Sequence, residues 1–166
     1  MMAQTSVFQG QLPMSGLTLF RIAGISIRLD FSWFLIFLLV LWSLSAGYLP
    51  LQYPHQGRFT YWAMGFVTTV LFFFSIVAHE LSHALMAIRS GIQVPAITLF
   101  LFGGIAHTTK EAKSPATELS IAIVGPLMSF ALAGGFWVMG HSLSVGSQTM
   151  IAVVCGYLAW IGLVRR

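Results

Sequence analysis

Residues 61 to 89 read YWAMGFVTTVLFFFSIVAHELSHALMAIR. The segment is long and apolar enough to cross a bilayer as one helix, yet its second half carries His79, Glu80 and His83. An ionisable side chain in the middle of a spanning helix costs about 2.5 to 3.5 kcal/mol on the insertion scale, so such residues mark functional sites. This stretch therefore predicts a membrane helix that contains a polar site.

The composition of the whole chain agrees with a membrane location. Of its 166 residues 57% are hydrophobic and 7% are charged, and the mean hydropathy is +0.87. A soluble domain of this size could not bury so much apolar surface. The net charge of +4 comes from basic residues at the ends of apolar segments, so no basic patch supports nucleic-acid binding. A single cysteine, Cys155, excludes a disulfide framework.

Four long apolar stretches predict four membrane spans in contact with lipid. They cover Phe31 to Tyr48, Tyr61 to Ile88, Leu119 to Gly140 and Met150 to Val164. The last is short and stops just before the end of the chain at Arg166. We expect an all-α polytopic membrane protein with short membrane-associated β elements before its first helix and between its second and third helices.

Seven of the eight Lys and Arg residues would lie on one side of these four spans: Arg21, Arg28, Arg89, Lys110, Lys113, Arg165 and Arg166. Only Arg58 would lie on the other side. The positive-inside rule then places the N-terminus in the cytoplasm of a multi-pass cell-membrane protein. Residues 1 to 24 form a predicted cytoplasmic segment, and residues 25 to 166 form a membrane domain that we expect to be incomplete at its C-terminus.

Two stretches outside the helices have the period of strands. Apolar and polar residues alternate from Gly24 to Asp30, just before the first span. From Ile97 to Thr109, two β-prone runs flank Gly103 and Gly104, which predicts a tight hairpin with the glycines at its turn. A short buried helix or a re-entrant loop is the alternative. Ser90-Gly91 predicts the end of the second helix, and Ser114-Pro115 predicts the start of the third.

The spacing of the two histidines suits a metal ion. His79 and His83 lie about 40° apart around a helix, so both imidazoles project from one face and can bind one cation. Glu80 is close enough to act on a water held by that ion. Neutral imidazoles suit Zn²⁺, which lowers the pKa of its water towards about 7 for attack on an amide. A polar cluster without metal is the alternative, but three ionisable residues this deep in a membrane helix have no simple structural use.

These residues and others in the same order resemble the site-2 protease family of intramembrane zinc metalloproteases. The similarity covers about Ile25 to Ala133 and consists of Ile27-Arg28-Leu29-Asp30-Phe31-Ser32-Trp33, His79-Glu80-Leu81-Ser82-His83, Leu101-Phe102-Gly103-Gly104-Ile105-Ala106, Ser114-Pro115, Glu118, Ile121-Ala122 and Gly125-Pro126-Leu127-Met128-Ser129. The order and spacing of these pieces are more specific than HExxH alone.

The resemblance implies a function and a set of site residues. It implies His79 and His83 as zinc ligands, Glu80 as the catalytic general base, and cleavage of transmembrane or membrane-adjacent segments of protein substrates. It also implies that the region of Gly103 and Gly104 is a membrane-associated β element near the site. The stretch from Gly125 to Ser129 would be the family's GxxxN/S/G element.

The substrate-binding assignment of Gly103, Gly104, Gly125 and Ser129 has a physical basis. A membrane helix hides its amides, so the scissile bond must be extended, and a strand edge beside the zinc could pair with it. Gly125 would let backbones approach, Pro126 would free a helix carbonyl, and Ser129 would offer a polar group. A kink that packs two helices closely is the alternative.

The chain departs from the family at the third zinc ligand. Catalytic zinc normally has three protein ligands, and in this family the third is an aspartate on a later membrane helix. This chain has no Asn, and its only Asp is Asp30, before the first span. The chain could be a fragment, a non-proteolytic remnant, or a protein that uses another ligand. Substitutes would be His107, Glu111 or Glu118, while His55 and His141 are predicted loop residues.

Two functional classes follow. The first is an intramembrane zinc endopeptidase or its metal-binding portion, acting in regulated intramembrane proteolysis. The second is a non-catalytic membrane protein that binds metal or membrane helices, as a degenerate relative of the protease. A cation transporter is disfavoured, because one two-histidine site with few other buried polar residues provides no ion path.

Overall fold

The computed structural model describes residues 16–100, 103–107 and 114–144. In chain order the elements are β1 (Gly16–Ile22), β2 (Ile25–Asp30), α1 (Phe31–Trp42), a π-helical segment (Ser43–Tyr48), α2 (Leu49–Gln52), α3 (Arg58–Arg89), β3 (Ala96–Phe100), β4 (Gly103–His107) and α4 (Pro115–Ser144).

Three helical segments in the described part are long and apolar enough to cross a membrane. They are Phe31–Gln52, which combines α1, the π-helical segment and α2, then Arg58–Arg89 and Pro115–His141. These segments confirm three of the predicted spans and make the chain a membrane protein. The predicted fourth span, Met150 to Val164, lies outside the described residues, as do Cys155 and Glu111.

The starts of α1 and α4 follow from capping side chains. The Asp30 carboxylate accepts a hydrogen bond of 2.9 Å from the Ser32 amide at the start of α1. Hydrogen bonds from Ser32 lower the pKa of Asp30 below its usual value. At the start of α4, the Ser114 hydroxyl accepts from the Thr117 amide at 3.3 Å, and Pro115 is the first helical residue, as predicted.

The end of α3 is a Schellman motif. Gly91 has a φ of 80°, a left-handed conformation that glycine adopts without strain. The Gly91 amide donates to the Ile88 carbonyl and the Ile92 amide donates to the Ala87 carbonyl, both at 3.0 Å. The predicted stop at Ser90-Gly91 is confirmed, and it turns the chain back towards β3.

The four strands form one mixed sheet in the order β1-β2-β3-β4. β1 and β2 are antiparallel, β2 and β3 are parallel, and β3 and β4 are antiparallel. The predicted strand before the first span and the predicted hairpin are therefore confirmed. β1 was not predicted; it reaches β2 through a turn at Ala23 and Gly24, which have φ values of 50° and 83°.

The glycine pair has a different place in the hairpin from the one predicted. Gly103 and Gly104 begin β4, where they pair with Phe100 and Leu99, instead of forming the turn. The reason lies in packing: a Cβ on Gly104 would sit 2.7 Å from Cγ of Glu80 on α3. Glycine is used here for close approach of a strand to a helix.

The two histidines outside the site differ in their surroundings. His55 lies in the turn between α2 and α3, with a φ of 73°, as predicted for a loop residue. His141 was predicted in a loop, which is wrong, because α4 continues to Ser144. Its ring stacks on Trp137, one turn earlier in the helix, with ring centroids 5.5 Å apart.

The buried core lies between one face of the sheet and the C-terminal part of α3. Its members are all aliphatic: Ile25, Ile27, Leu29, Ala84, Ala87, Ile92, Val94, Ile97 and Leu99. Alternate residues of β2 enter it, as their period of two requires. The sheet is thereby fixed against the part of α3 that carries the histidines.

Candidate metal centre

His79 and His83 lie one turn apart on α3, on the side that faces α4. Their ring centroids are 4.8 Å apart, and their Nε2 atoms are 3.1 Å apart. Both side chains are half-buried. The structure thus brings the two predicted ligands together with their distal nitrogens converging on one point.

The other ring nitrogens are held by α4. His83 Nδ1 lies 2.6 Å from the backbone carbonyl oxygen of Ile121, and His79 Nδ1 lies 2.8 Å from Oγ of Ser129. A carbonyl can only accept, so Nδ1 of His83 carries the proton and its Nε2 presents a lone pair. The Ser129 hydroxyl can accept from His79 in the same way. Such partners fix the tautomer and orientation of metal-binding histidines.

Gly125 of α4 is buried directly against both imidazoles. A Cβ at this position would overlap Nε2 and Cε1 of His83, and it would lie 2.7 Å from Nε2 of His79. Only glycine leaves this space open. Gly125 was predicted to let backbones approach, and in the structure the groups close to it are the two imidazole side chains.

The carbonyl that contacts His83 was not predicted. Pro126 lacks an amide hydrogen, which removes the helical donor for the carbonyl of Ala122. The carbonyl bound by His83 belongs to Ile121, the residue before. Every residue has a carbonyl, so side-chain chemistry could not identify this one, and the signal in the sequence is the proline five residues later, inside α4.

Glu80 lies beside the sheet. Its side chain is half-buried and lies against Gly104 of β4, where the missing Cβ makes room for it. Gly103 occupies the preceding position of the same strand. The structure therefore places a carboxylate next to the two imidazoles in sequence and next to β4 in space.

The two histidines fit a divalent cation. Tetrahedral zinc with Zn–N bonds of about 2.0 to 2.1 Å places two nitrogen ligands about 3.3 Å apart. The observed separation of 3.1 Å between the Nε2 atoms is close to that span. Two imidazoles that each present a lone pair to the same point repel one another unless a cation or a shared proton lies between them.

A third ligand does not join them within residues 16–100, 103–107 and 114–144, where no three His, Cys, Asp or Glu side chains form a metal-binding group. Among the predicted substitutes, Glu118 is exposed in the first turn of α4, one turn before Ile121. His107 ends β4, paired with Ala96. Asp30 caps α1, and Glu111 lies outside the described residues.

The sequence of this chain matches a known protein family and known relatives. The model of peptidase family M50 matches residues 67–160. The Synechocystis sp. protein sll0528 is 39% identical over 147 residues, which cover 87% of this chain and 38% of that protein. Zinc metalloprotease MJ0392 of Methanocaldococcus jannaschii is 34% identical over 139 residues, which cover 84% of this chain and 34% of that protein.

A solved structure has the same fold. The site-2 protease from Methanocaldococcus jannaschii superposes with a TM-score of 0.58 at 28% sequence identity, covering 89% of this chain and 62% of that one. The chain spans less than two fifths of the length of the two relatives named above. With the family model matching more than half of its residues, the chain belongs to peptidase family M50, the site-2 protease family of zinc metalloproteases.

Proposed function

We infer that this chain carries the zinc-binding part of an intramembrane endopeptidase that cleaves transmembrane or membrane-adjacent segments of protein substrates. The observation that carries this proposal is the pair of Nε2 atoms 3.1 Å apart inside a spanning helix, with both Nδ1 atoms held by α4. Zinc metalloproteases among the relatives support the choice of metal. His79 and His83 are the proposed ligands.

Glu80 is the proposed general base. When bound, zinc supplies a Lewis acid that lowers the pKa of water. Glu80 follows His79 directly and can take the proton of an attacking water without serving as a ligand. Its contact with Gly104 restricts the side chain on the side of the sheet.

β4 is the proposed docking strand for the substrate. It lies at one end of the described sheet, and Gly104 within it contacts Glu80. An extended substrate segment that added to this strand would therefore run past the carboxylate. Pairing with β4 would keep the substrate extended at the scissile amide, although the rest of its membrane segment is helical. Gly125 and Ser129 complete the proposed site from α4, where they also contact the imidazoles.

The proposed setting is the cell membrane, with the N-terminus and the connection between α3 and α4 in the cytoplasm. The proposed process is regulated intramembrane proteolysis. The chain has no aspartate other than Asp30, so an aspartate as third ligand would have to come from residues outside these 166, which span 38% of the length of the Synechocystis relative.

Replacing Glu80 with Gln tests the proposal. We expect Glu80→Gln to retain bound zinc and to lose cleavage of a membrane substrate by about a hundredfold or more, because a positioned general base contributes about 10² to 10⁴ in rate. The protein is produced with any residues that its gene encodes after Arg166. Zinc content is measured by mass spectrometry of the purified protein. Cleavage is followed in proteoliposomes.

Two further variants make the result specific. His79→Ala combined with His83→Ala should lose the metal, and Glu118→Gln, at an exposed carboxylate on α4, should leave both zinc and cleavage unchanged. Equal cleavage by wild type and Glu80→Gln would refute the role of Glu80. Zinc retention without any cleavage by the wild type would favour the non-catalytic metal-binding function.

A further inference from the structure

The main-chain groups of β3 point alternately to its two neighbouring strands. Just before β3, the Pro95 carbonyl accepts a hydrogen bond of 3.0 Å from the Ser26 amide of β2. Groups at every second residue of a strand point to the same side, so the N–H and C=O of Leu99 also face β2. Those of Phe100 then face β4, where Phe100 pairs with Gly103.

The partner of Leu99 on β4 is Gly104. Hydrogen-bonded and non-hydrogen-bonded pairs alternate along an antiparallel ladder. Because the main-chain groups of Leu99 face β2, the pair of Leu99 and Gly104 is a non-hydrogen-bonded pair. The N–H and C=O of Gly104 therefore point away from β3, to the outer edge of the described sheet. Gly104 presents both groups to any strand that adds at this edge.

The side of Gly104 that points to α3 is closed by two side chains. A Cβ at this position would lie 2.7 Å from Cγ and 3.1 Å from Cδ of Glu80, and 3.3 Å from Cδ2 of Leu99. The carboxylate carbon of Glu80 is therefore packed against the residue whose main-chain groups face the outer edge. Gly104 combines the contact with the proposed general base and the hydrogen-bonding groups for an added strand.

We propose that Gly104 sets the register of the substrate, and that the substrate residue paired with Gly104 is small and borders the scissile amide. This inference rests on the proposed docking of the substrate on β4. Directly opposed residues of neighbouring strands have their side chains on the same face, with Cβ atoms about 4.5 to 5.5 Å apart. The side chain of the paired residue therefore enters the space beside the Glu80 carboxylate, where the attacking water also needs room.

The neighbours of the paired residue have no such restriction. Successive side chains of an extended strand point to opposite faces, so both neighbours point away from α3 and Glu80. The substrate class is an extended membrane segment that has Gly, Ala or Ser opposite Gly104 and side chains of any size next to it. A large side chain opposite Gly104 would displace the carboxylate from the attacking water.

Size scanning of a substrate tests this register. The protein is produced with any residues that its gene encodes after Arg166, and the bond that it cuts in a membrane substrate in proteoliposomes is located by mass spectrometry. Each substrate residue close to that bond is then changed, one at a time, to Ala and to Leu. Both residue types favour helices, so a difference in cleavage rate reports the size of the side chain.

The expected pattern has a period of two. At one residue that borders the cut bond, we expect the Leu substrate to be cleaved about tenfold more slowly than the Ala substrate, or slower still, because a closed site does not accept the added volume. At the residues directly before and after it, we expect Ala and Leu to differ by less than about threefold, because these side chains point to the other face.

A variant of the protein tests the contact from the other side. The Cβ of Gly104→Ala would overlap the Glu80 side chain, so we expect cleavage of the Ala substrate to fall by about tenfold or more while the zinc content stays unchanged. Gly134→Ala, on α4 with open space around the position, is the matched control and should cleave as the wild type does.

The outcomes separate this inference from the proposed function. Equal rates for Ala and Leu at every position, or size discrimination at two successive positions, would overturn the register and leave the proposed function in place. Cleavage by Gly104→Ala at the wild-type rate would do the same. A wild-type protein that binds zinc and cleaves no membrane substrate would overturn the proposed function, and the register with it.

Discussion

Gly125 has no Cβ, and any other residue at this position would place its Cβ against both imidazoles. We expect Gly125→Ala to displace the His83 ring and to lose bound zinc, because the new Cβ would overlap Nε2 and Cε1 of His83. Metal content per protein, measured by mass spectrometry after gel filtration in detergent, reports the loss.

A matched control exists on the same helix. A Cβ added to Gly134 would meet no heavy atom within 4 Å, so Gly134→Ala should keep the wild-type zinc content. Full zinc content in Gly125→Ala would mean that α4 can retreat from α3 at no cost to the site.

Ser129 allows a finer test of how α4 supports the histidines. We expect Ser129→Ala to weaken zinc binding by about 10- to 100-fold, because the hydroxyl 2.8 Å from Nδ1 of His79 is removed. Ser129→Thr keeps a hydroxyl and should restore most of the affinity. Competition with a chromophoric zinc chelator measures the dissociation constant.

The control for Ser129 is another serine of α4. The Ser120 hydroxyl donates to the Ala116 carbonyl within its own helix, so Ser120→Ala should bind zinc as the wild type does. An unchanged dissociation constant in Ser129→Ala would mean that Ser129 does not position His79.

At this scale the sequence predicts spacing and misses contacts. The interval between His79 and His83 sets their common face, because helix geometry is local. The partners of their Nδ1 atoms are set by how α4 packs on α3, which is tertiary. For that reason Ser129 was predicted as a substrate-binding residue and not as the partner of His79, and the Ile121 carbonyl was not predicted.

At the scale of elements, the first span and α3 meet at a glycine. A Cβ on Gly65 would overlap Oγ of Ser45, in the π-helical segment, and would lie 3.2 Å from its Cβ. We expect Gly65→Ala to destabilise the protein by about 1 to 3 kcal/mol, the usual cost of overpacking. Unfolding in mixed detergent and dodecyl sulfate micelles measures this free energy.

A complementary exchange identifies the cause. Adding Ser45→Gly should recover part of the loss, since the double variant returns the missing volume to the partner helix. Gly47→Ala, in the same π-helical segment but with open space around the position, should not share this cost of overpacking. Additive free energies in the double variant would show that the two positions do not interact.

The alternation of apolar and polar residues predicts β2 but not β1. β2 alternates because its apolar residues Ile25, Ile27 and Leu29 all face the core, so its period is visible in the sequence. β1 has apolar residues at consecutive positions and a bulge between Thr18 and Phe20, which break the period of two. Gly103 and Gly104 were predicted as a turn because conformational freedom in φ is the commoner use of glycine, whereas at Gly104 the close contact with Glu80 explains the glycine.

At the scale of the whole molecule, the distribution of basic residues predicts an orientation. In a Cys155→Ser background, we expect a membrane-impermeant maleimide to label Gln56→Cys in intact cells and to label Ala116→Cys only after permeabilisation. Gln56 lies between α2 and α3, and Ala116 lies in the first turn of α4, on the side of Arg89. The reverse labelling pattern would invert the orientation that positive-inside bias predicts.

The parallel pairing of β2 with β3 has a consequence for biogenesis. β2 precedes the first span and β3 follows α3, so this pair can form only after both of these spans have been threaded across the bilayer. His79 and His83 enter the membrane ahead of Ser129 and Ile121, the α4 residues that later contact their ring nitrogens. The translocon must therefore insert α3 before its polar side chains can contact α4. The pairing of β2 with β3 then forms only in molecules in which α3 has crossed the bilayer.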